Sequence, residues 1–148
     1  MILTDIIACE YNVITKMVIE IGGCVEILYS DVRVERICND GKTALKFFGG
    51  DKSLVESLFS RMQMLRFVPT LEDIISTGNK MRFHNLHDQG RRRLEGLYAI
   101  DVKTIKQPWR LIIQPLDDDK EPLEGHNIDV VAKYVRIIEI EEISKHYE

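Results

Sequence analysis

Three observations predict an α+β fold. Apolar residues recur at helical spacing in the first half of the chain, β-branched and aromatic runs fill the second half, and short segments join several of those runs. Helices gathered early and strands gathered late lay the helices across one face of a sheet. Successive strands with short links favour antiparallel pairing, because a parallel neighbour needs a crossover of about a dozen residues or more. The expected architecture is therefore an antiparallel β-sheet with N-terminal helices packed on one face.

Residues 25–29, Val-Glu-Ile-Leu-Tyr, read as the first strand. A broken helical stretch follows through Val32, Ile37, Ala44, Leu45 and Phe48, and Gly49 and Gly50 end it. Asp51 is placed to cap a longer helix whose inward stripe is Leu54, Val55, Leu58, Phe59, Met62 and Leu65, opposite Lys52, Glu56, Ser60 and Arg61. Met62 and Met64 read as core, where flexible thioethers fill gaps. Pro69 stops that helix, Thr70 caps a short one over 71–76, and Gly78 turns the chain. Strands are expected over 81–86, 97–102, 109–114 and 128–143. The loop over 116–127 contains Asp117, Asp118 and Asp119, which lack the spaced ligands and closing glutamate of a calcium loop and read as a solvated hairpin.

A chain of 148 residues buries a single core without disulfides or metals. Cys9, Cys24 and Cys38 are odd in number and contain no Cys-x-x-Cys pair, so they read as reduced thiols in the cytoplasm. Asp5, Glu10 and Lys16 interrupt the opening residues, against a secretory signal, and no apolar run is long enough to span a membrane. The net charge of −4 argues against nucleic-acid contacts all over the surface. Charge is nevertheless segregated: 78–110 carries eight bases and three acids, while 117–148 carries four bases and ten acids. The positive middle, with His84 and His87 inside it, is the candidate anion site.

The residues Arg82-Phe83-His84-Asn85-Leu86-His87, then Gly96-Leu97-Tyr98-Ala99-Ile100-Asp101, then Pro108-Trp109-Arg110-Leu111-Ile112-Ile113 resemble, in order and spacing, the central signature of HigB-like toxins of the RelE/ParE superfamily. The resemblance runs from about Glu26 to His146 and includes Val34-Glu35-Arg36-Ile37-Cys38-Asn39-Asp40. It implies a toxin domain over 25–148, and residues 1–24 form an N-terminal extension, either an extra strand or sequence ahead of a start near Met17 or Val25. It further implies a type II toxin that cleaves messenger RNA on the ribosome and is neutralised by a cognate helix-turn-helix antitoxin. Carried residue by residue, the family's strand histidine falls on His84, its following basic residue on His87, and its strand arginine on Arg110. The family's closing Asp-Tyr-His is altered here. Without a gap, Glu142 takes the acid's place and Ser144 the histidine's; a shift of two restores His146 and loses the other two matches.

RNA cleavage needs a base for the 2′-hydroxyl proton, an acid for the departing 5′ oxygen, and cations for the phosphorane charge; it requires neither cofactor nor metal. Imidazole titrates near neutral pH and guanidinium is a permanent fork of donors, so His84, Arg110 and His146 are the expected catalytic set. Arg82, His87, Arg91, Arg92, Arg93, Tyr98 and Tyr147 are the expected substrate contacts. Strand alternation puts Arg82 and His84 opposite Met81 and Phe83, and Arg110 opposite Trp109, Leu111 and Ile113. Trp109 thus reads first as core, although single-stranded RNA is commonly held on aromatic faces. A non-catalytic relative that inhibits a protein target, such as gyrase, and a degenerate partner-binding module are the alternatives.

Overall fold

The structure, a computed structural model, describes residues 24–76, 82–86, 94, 96–123 and 127–145. The first strand, β1 (Glu26–Tyr29), leads into α1 (Val32–Asn39), where the Asp31 carboxylate accepts the Val34 backbone N–H at 2.8 Å and caps the helix. The next helix, α2 (Gly41–Phe47), ends in a turn where Gly49 and Gly50 take φ of 68° and 91°, a region that costs glycine little. Asp51 accepts from the Ser53 and Leu54 N–H groups to start α3 (Lys52–Phe67), which buries Leu54, Leu58, Met62 and Leu65. Thr70 and Asp73 form a capping box on α4 (Leu71–Ile75).

The remaining strands are β2 (His84–Asn85), β3 (Tyr98–Asp101), β4 (Arg110–Leu116) and β5 (Ile137–Ser144), in the spatial order β1-β5-β4-β3-β2. From β2 to β5 each strand pairs antiparallel with the next, whereas β1 joins β5 in parallel. The sheet is therefore mixed, which corrects the expectation of an all-antiparallel one. The whole of the helical region separates β1 from the later strands, and a connection that long permits the parallel arrangement.

A second correction concerns 128–143, which is not one strand. The Asn127 side chain accepts the Asp129 N–H at 3.0 Å and starts α5 (Ile128–Val131), and a 3-10 turn over Ala132–Tyr134 precedes β5. Ile128, Ala132 and Val135 enter the core at helical spacing. The β-branched Ile128, Val130 and Val131 pointed to a strand, and the cap with its tertiary contacts overrode that propensity. β2 is also shorter than expected, because Arg82 sits at φ 47° and takes the backbone out of extended geometry.

The main core lies between the helices and one sheet face, where Leu58, Met62, Leu65, Leu71 and Ile74 meet Ile100, Leu111, Ile113, Ile138 and Ile140. Full burial of each such aliphatic side chain stabilises the fold by about 1.5–3 kcal/mol. The other face carries a small apolar group of Leu86, Leu94, Ala99 and Ile112, with Leu97 against it. Burial in the main core pushes the Cys38 thiol up to about 12, which makes it a poor nucleophile. In the hairpin after β4, Asp117 organises the turn by accepting from the Asp119 and Glu121 N–H groups, both at 2.9 Å. Among the described residues no helix is long and apolar enough to cross a membrane.

Candidate functional site

Strand register brings the candidate residues onto the sheet face away from the helices. His84 pairs with Ala99, Ala99 with Ile112, and Asp101 with Arg110, and directly opposed residues share a face. His84 and Arg110 therefore lie on one side, as alternation predicted. They are two strands apart, roughly 10 Å in the hydrogen-bonding direction.

Arg110 occupies an unexpected environment for a phosphate ligand, because its side chain is 0% exposed. Its Nε meets Asp101 Oδ1 at 3.1 Å, its Nη1 donates to the carbonyls of Gln107 and Trp109, and its Nη2 donates to the Ile105 carbonyl at 3.4 Å. The guanidinium thus closes the β3–β4 loop from inside. In this conformation it presents no surface to RNA.

Asp101, which sequence reasoning did not single out, is the centre of the arrangement. It is 3% exposed, and its carboxylate accepts Arg82 Nε at 2.9 and 3.1 Å as well as Arg110. Its backbone carbonyl accepts Arg61 Nε from α3 at 3.0 Å. Burial lowers the Arg61 pKa, and the Asp101 charge opposes that shift. A buried carboxylate is costly unless paired, and two guanidiniums pair this one. The usable sequence signal was alternation along Tyr98-Ala99-Ile100-Asp101, which sets Asp101 on the same face as its β4 partner Arg110.

Arg82 reaches Asp101 with its Nε while its side chain remains 32% exposed, so it is a more accessible cation than Arg110. Its left-handed backbone also serves His84, whose Nδ1 lies 2.7 Å from the Arg82 carbonyl. A carbonyl can only accept, so Nδ1 carries the proton and, in the neutral ring, Nε2 keeps the lone pair that a general base uses. Tyr98 is 6% exposed and stacks on Phe83 with centroids 4.9 Å apart, so it belongs to the core. Burial and the charge of Asp129 push its phenol up. His87, Arg91, Arg92, Arg93, His146 and Tyr147 lie outside the described residues, as does the 1–23 part of the N-terminal extension.

β5 adds acids to the same sheet face. Glu139 pairs with Gln114 and Glu142 with Ile112, while Glu141 is the extra residue of a β-bulge between those pairs. Burial, a hydrogen bond to Glu139 and the charges of Glu139 and Glu142 push the Glu141 carboxyl up to about 7. On that face Glu139 and Glu142 repel a phosphate in the middle of β5, which leaves the β2 edge as the approach for an anion there. Across the sheet, Trp109 packs with Phe47 and Phe48, at centroid distances of 5.1 Å to each.

No protein-family model matches the chain, no curated protein matches it in sequence, and no solved structure matches it.

Proposed function

We propose that this protein is a HigB-like toxin of the RelE/ParE type, a ribosome-dependent endoribonuclease that cleaves messenger RNA by acid–base chemistry and is held in check by a helix-turn-helix antitoxin. The observation that carries the reading is the pairing of His84 with Arg82: an imidazole in a fixed tautomer beside a partly exposed guanidinium, at the β2 edge of the sheet. His84 Nε2 takes the proton of the 2′-hydroxyl, the 2′ oxygen attacks the phosphorus, and a second group protonates the departing 5′ oxygen. His146 is the candidate for that acid, on the strength of the family resemblance. Arg82 supports the developing phosphorane charge, while Arg110 acts through Asp101 as a positioning residue.

The burial of Arg110 also favours a second reading, a relative that has kept the scaffold and inhibits a protein target without cutting RNA. Induced expression with and without a neighbouring antitoxin, followed by mapping of mRNA ends, separates the two. Cleavage that disappears in His84→Ala, with antitoxin binding retained, supports the nuclease. Growth arrest with intact transcripts replaces it with the inhibitor, and cleavage undiminished in His84→Ala rejects the assigned base.

A further inference from the structure

We propose that the groove between the start of α1 and the end of β5 binds a base and its phosphate from single-stranded RNA, an inference that deepens the nuclease reading and rests on it. The groove encloses about 320 Å³ and is lined by Asp31, Arg33, Phe47, Trp109, Ser144 and Lys145, among others. That volume is at the small end of ligand sites, suited to one nucleotide rather than a folded partner.

The floor is aromatic, and two cations stand over the two rings. Phe47 and Trp109 are both half-buried, with ring centroids 5.1 Å apart and planes inclined at 56°. The Arg33 guanidinium lies 5.9 Å from the Phe47 centroid, and Lys145 Nζ lies 5.6 Å from the Trp109 centroid. Both cations are exposed, and among the described residues neither forms an ion pair with a carboxylate. Three acids also line the groove: Asp31 has its carboxylate engaged in capping α1, Glu141 shares a hydrogen bond with Glu139, and Glu142 sits opposite Ile112 in the β4–β5 ladder. A flexible lysine resting on an indole is readily exchanged for a base, since both use the same π-face and the displaced ammonium then meets the nucleotide's phosphate. An acidic peptide satisfies the cations but leaves two aromatic faces without a stacking partner, so RNA is the better match.

Position agrees with chemistry. Trp109 and Arg110 are consecutive, and Arg110 pairs with both Asp101 and Ser144, so the groove opens at the same end of the sheet as the Asp101 cluster. The two lie on opposite faces, so an RNA strand that rounds that end of the sheet meets them in turn.

Trp109 is the chain's single tryptophan, so its fluorescence reports on the groove directly. The full chain is titrated with a short single-stranded RNA bearing 2′-O-methyl riboses, which it cannot cleave, and in parallel with poly-glutamate. Saturable quenching by the RNA alone is expected, weakened by about tenfold or more in Phe47→Ala and in Lys145→Glu. Lys145→Glu changes an exposed residue and keeps the wild-type melting temperature; Phe47→Ala is checked by the same melt. Absence of quenching, quenching indifferent to Lys145→Glu, or equal quenching by poly-glutamate overturns the proposal, the last assigning the groove to an acidic protein partner. Transcript mapping on the same variants keeps the two claims apart. Quenching without cleavage sinks the nuclease and leaves the groove, whereas cleavage without quenching sinks the groove alone.

Discussion

The two faces of β4 are buried to the same degree by different means. Leu111 and Ile113 meet the helices in an all-apolar contact, while Arg110 and Gln114 on the opposite face are buried with their polar atoms bonded to Asp101 and to backbone carbonyls, Gly96 at 3.1 Å among them. The helical face depends on shape and apolar area. The opposite face joins the apolar Ile112 to polar groups whose burial depends on completed hydrogen bonding, so deletion of Arg110 strands a charge rather than only opening a void. Alternation therefore identifies which side of a strand a polar residue occupies, without fixing whether water reaches it.

Arg110→Ala gives the largest expected effect. Removing one partner of a buried pair costs about 3–5 kcal/mol, toward the lower end here because Arg82 still neutralises Asp101. Urea unfolding measures it, with Arg110→Met losing less because its chain refills the space. A midpoint equal to wild type for Arg110→Ala removes the distinction between the faces. On the helical face, Leu111→Ala costs about 2–4 kcal/mol through lost transfer energy and the residual cavity. In a double-mutant cycle, Asp101→Ala combined with Arg110→Ala costs less than the sum of the two, because the stranded charge is gone. Strict additivity in that cycle is the outcome that counts against the buried cluster.

The smallest effect concerns pH. The Glu141 carboxyl titrates near 7 in the folded protein against 4.5 ordinarily, so the folded state retains a proton that the unfolded chain releases between those values. Stability falls as pH rises through that window and is lowest above it. Glu141→Gln removes the penalty and raises stability at pH 8 by on the order of 1 kcal/mol, discounted because the group is partly solvated, with no gain at pH 4. Thermal melts at the two pH values test this, and an equal gain at both locates the effect in packing instead of charge.

Much of the helical half was legible residue by residue. Asp51 and Thr70 cap where their side chains dictate, Gly49 and Gly50 close α2, and the stripe from Leu54 to Leu65 faces the core, because these are choices made within one or two turns of backbone. The late half was less so. Asn127 capped a helix in a β-branched run, a local signal outweighed by the composition around it, while Arg82 cut β2 short through a left-handed backbone that an arginine does not announce. Of the candidate site, the shared face of His84 and Arg110 was legible from alternation and register. For Asp101 alternation gave only the face, since nothing near it in sequence marks an aspartate that gathers guanidiniums from α3, from Arg82 two residues before β2, and from β4.

The α+β class, the caps of the early helices and the side of each strand a residue takes are written in the sequence, because hydrogen-bond caps and side-chain periodicity act over a few residues. In three dimensions alone does β1 run parallel beside β5, Asp101 pair two arginines, and Arg110 become enclosed while Trp109 keeps a face toward a groove. Those outcomes depend on which distant segments meet and which of them shuts out water, and that is settled by the packing of the whole chain.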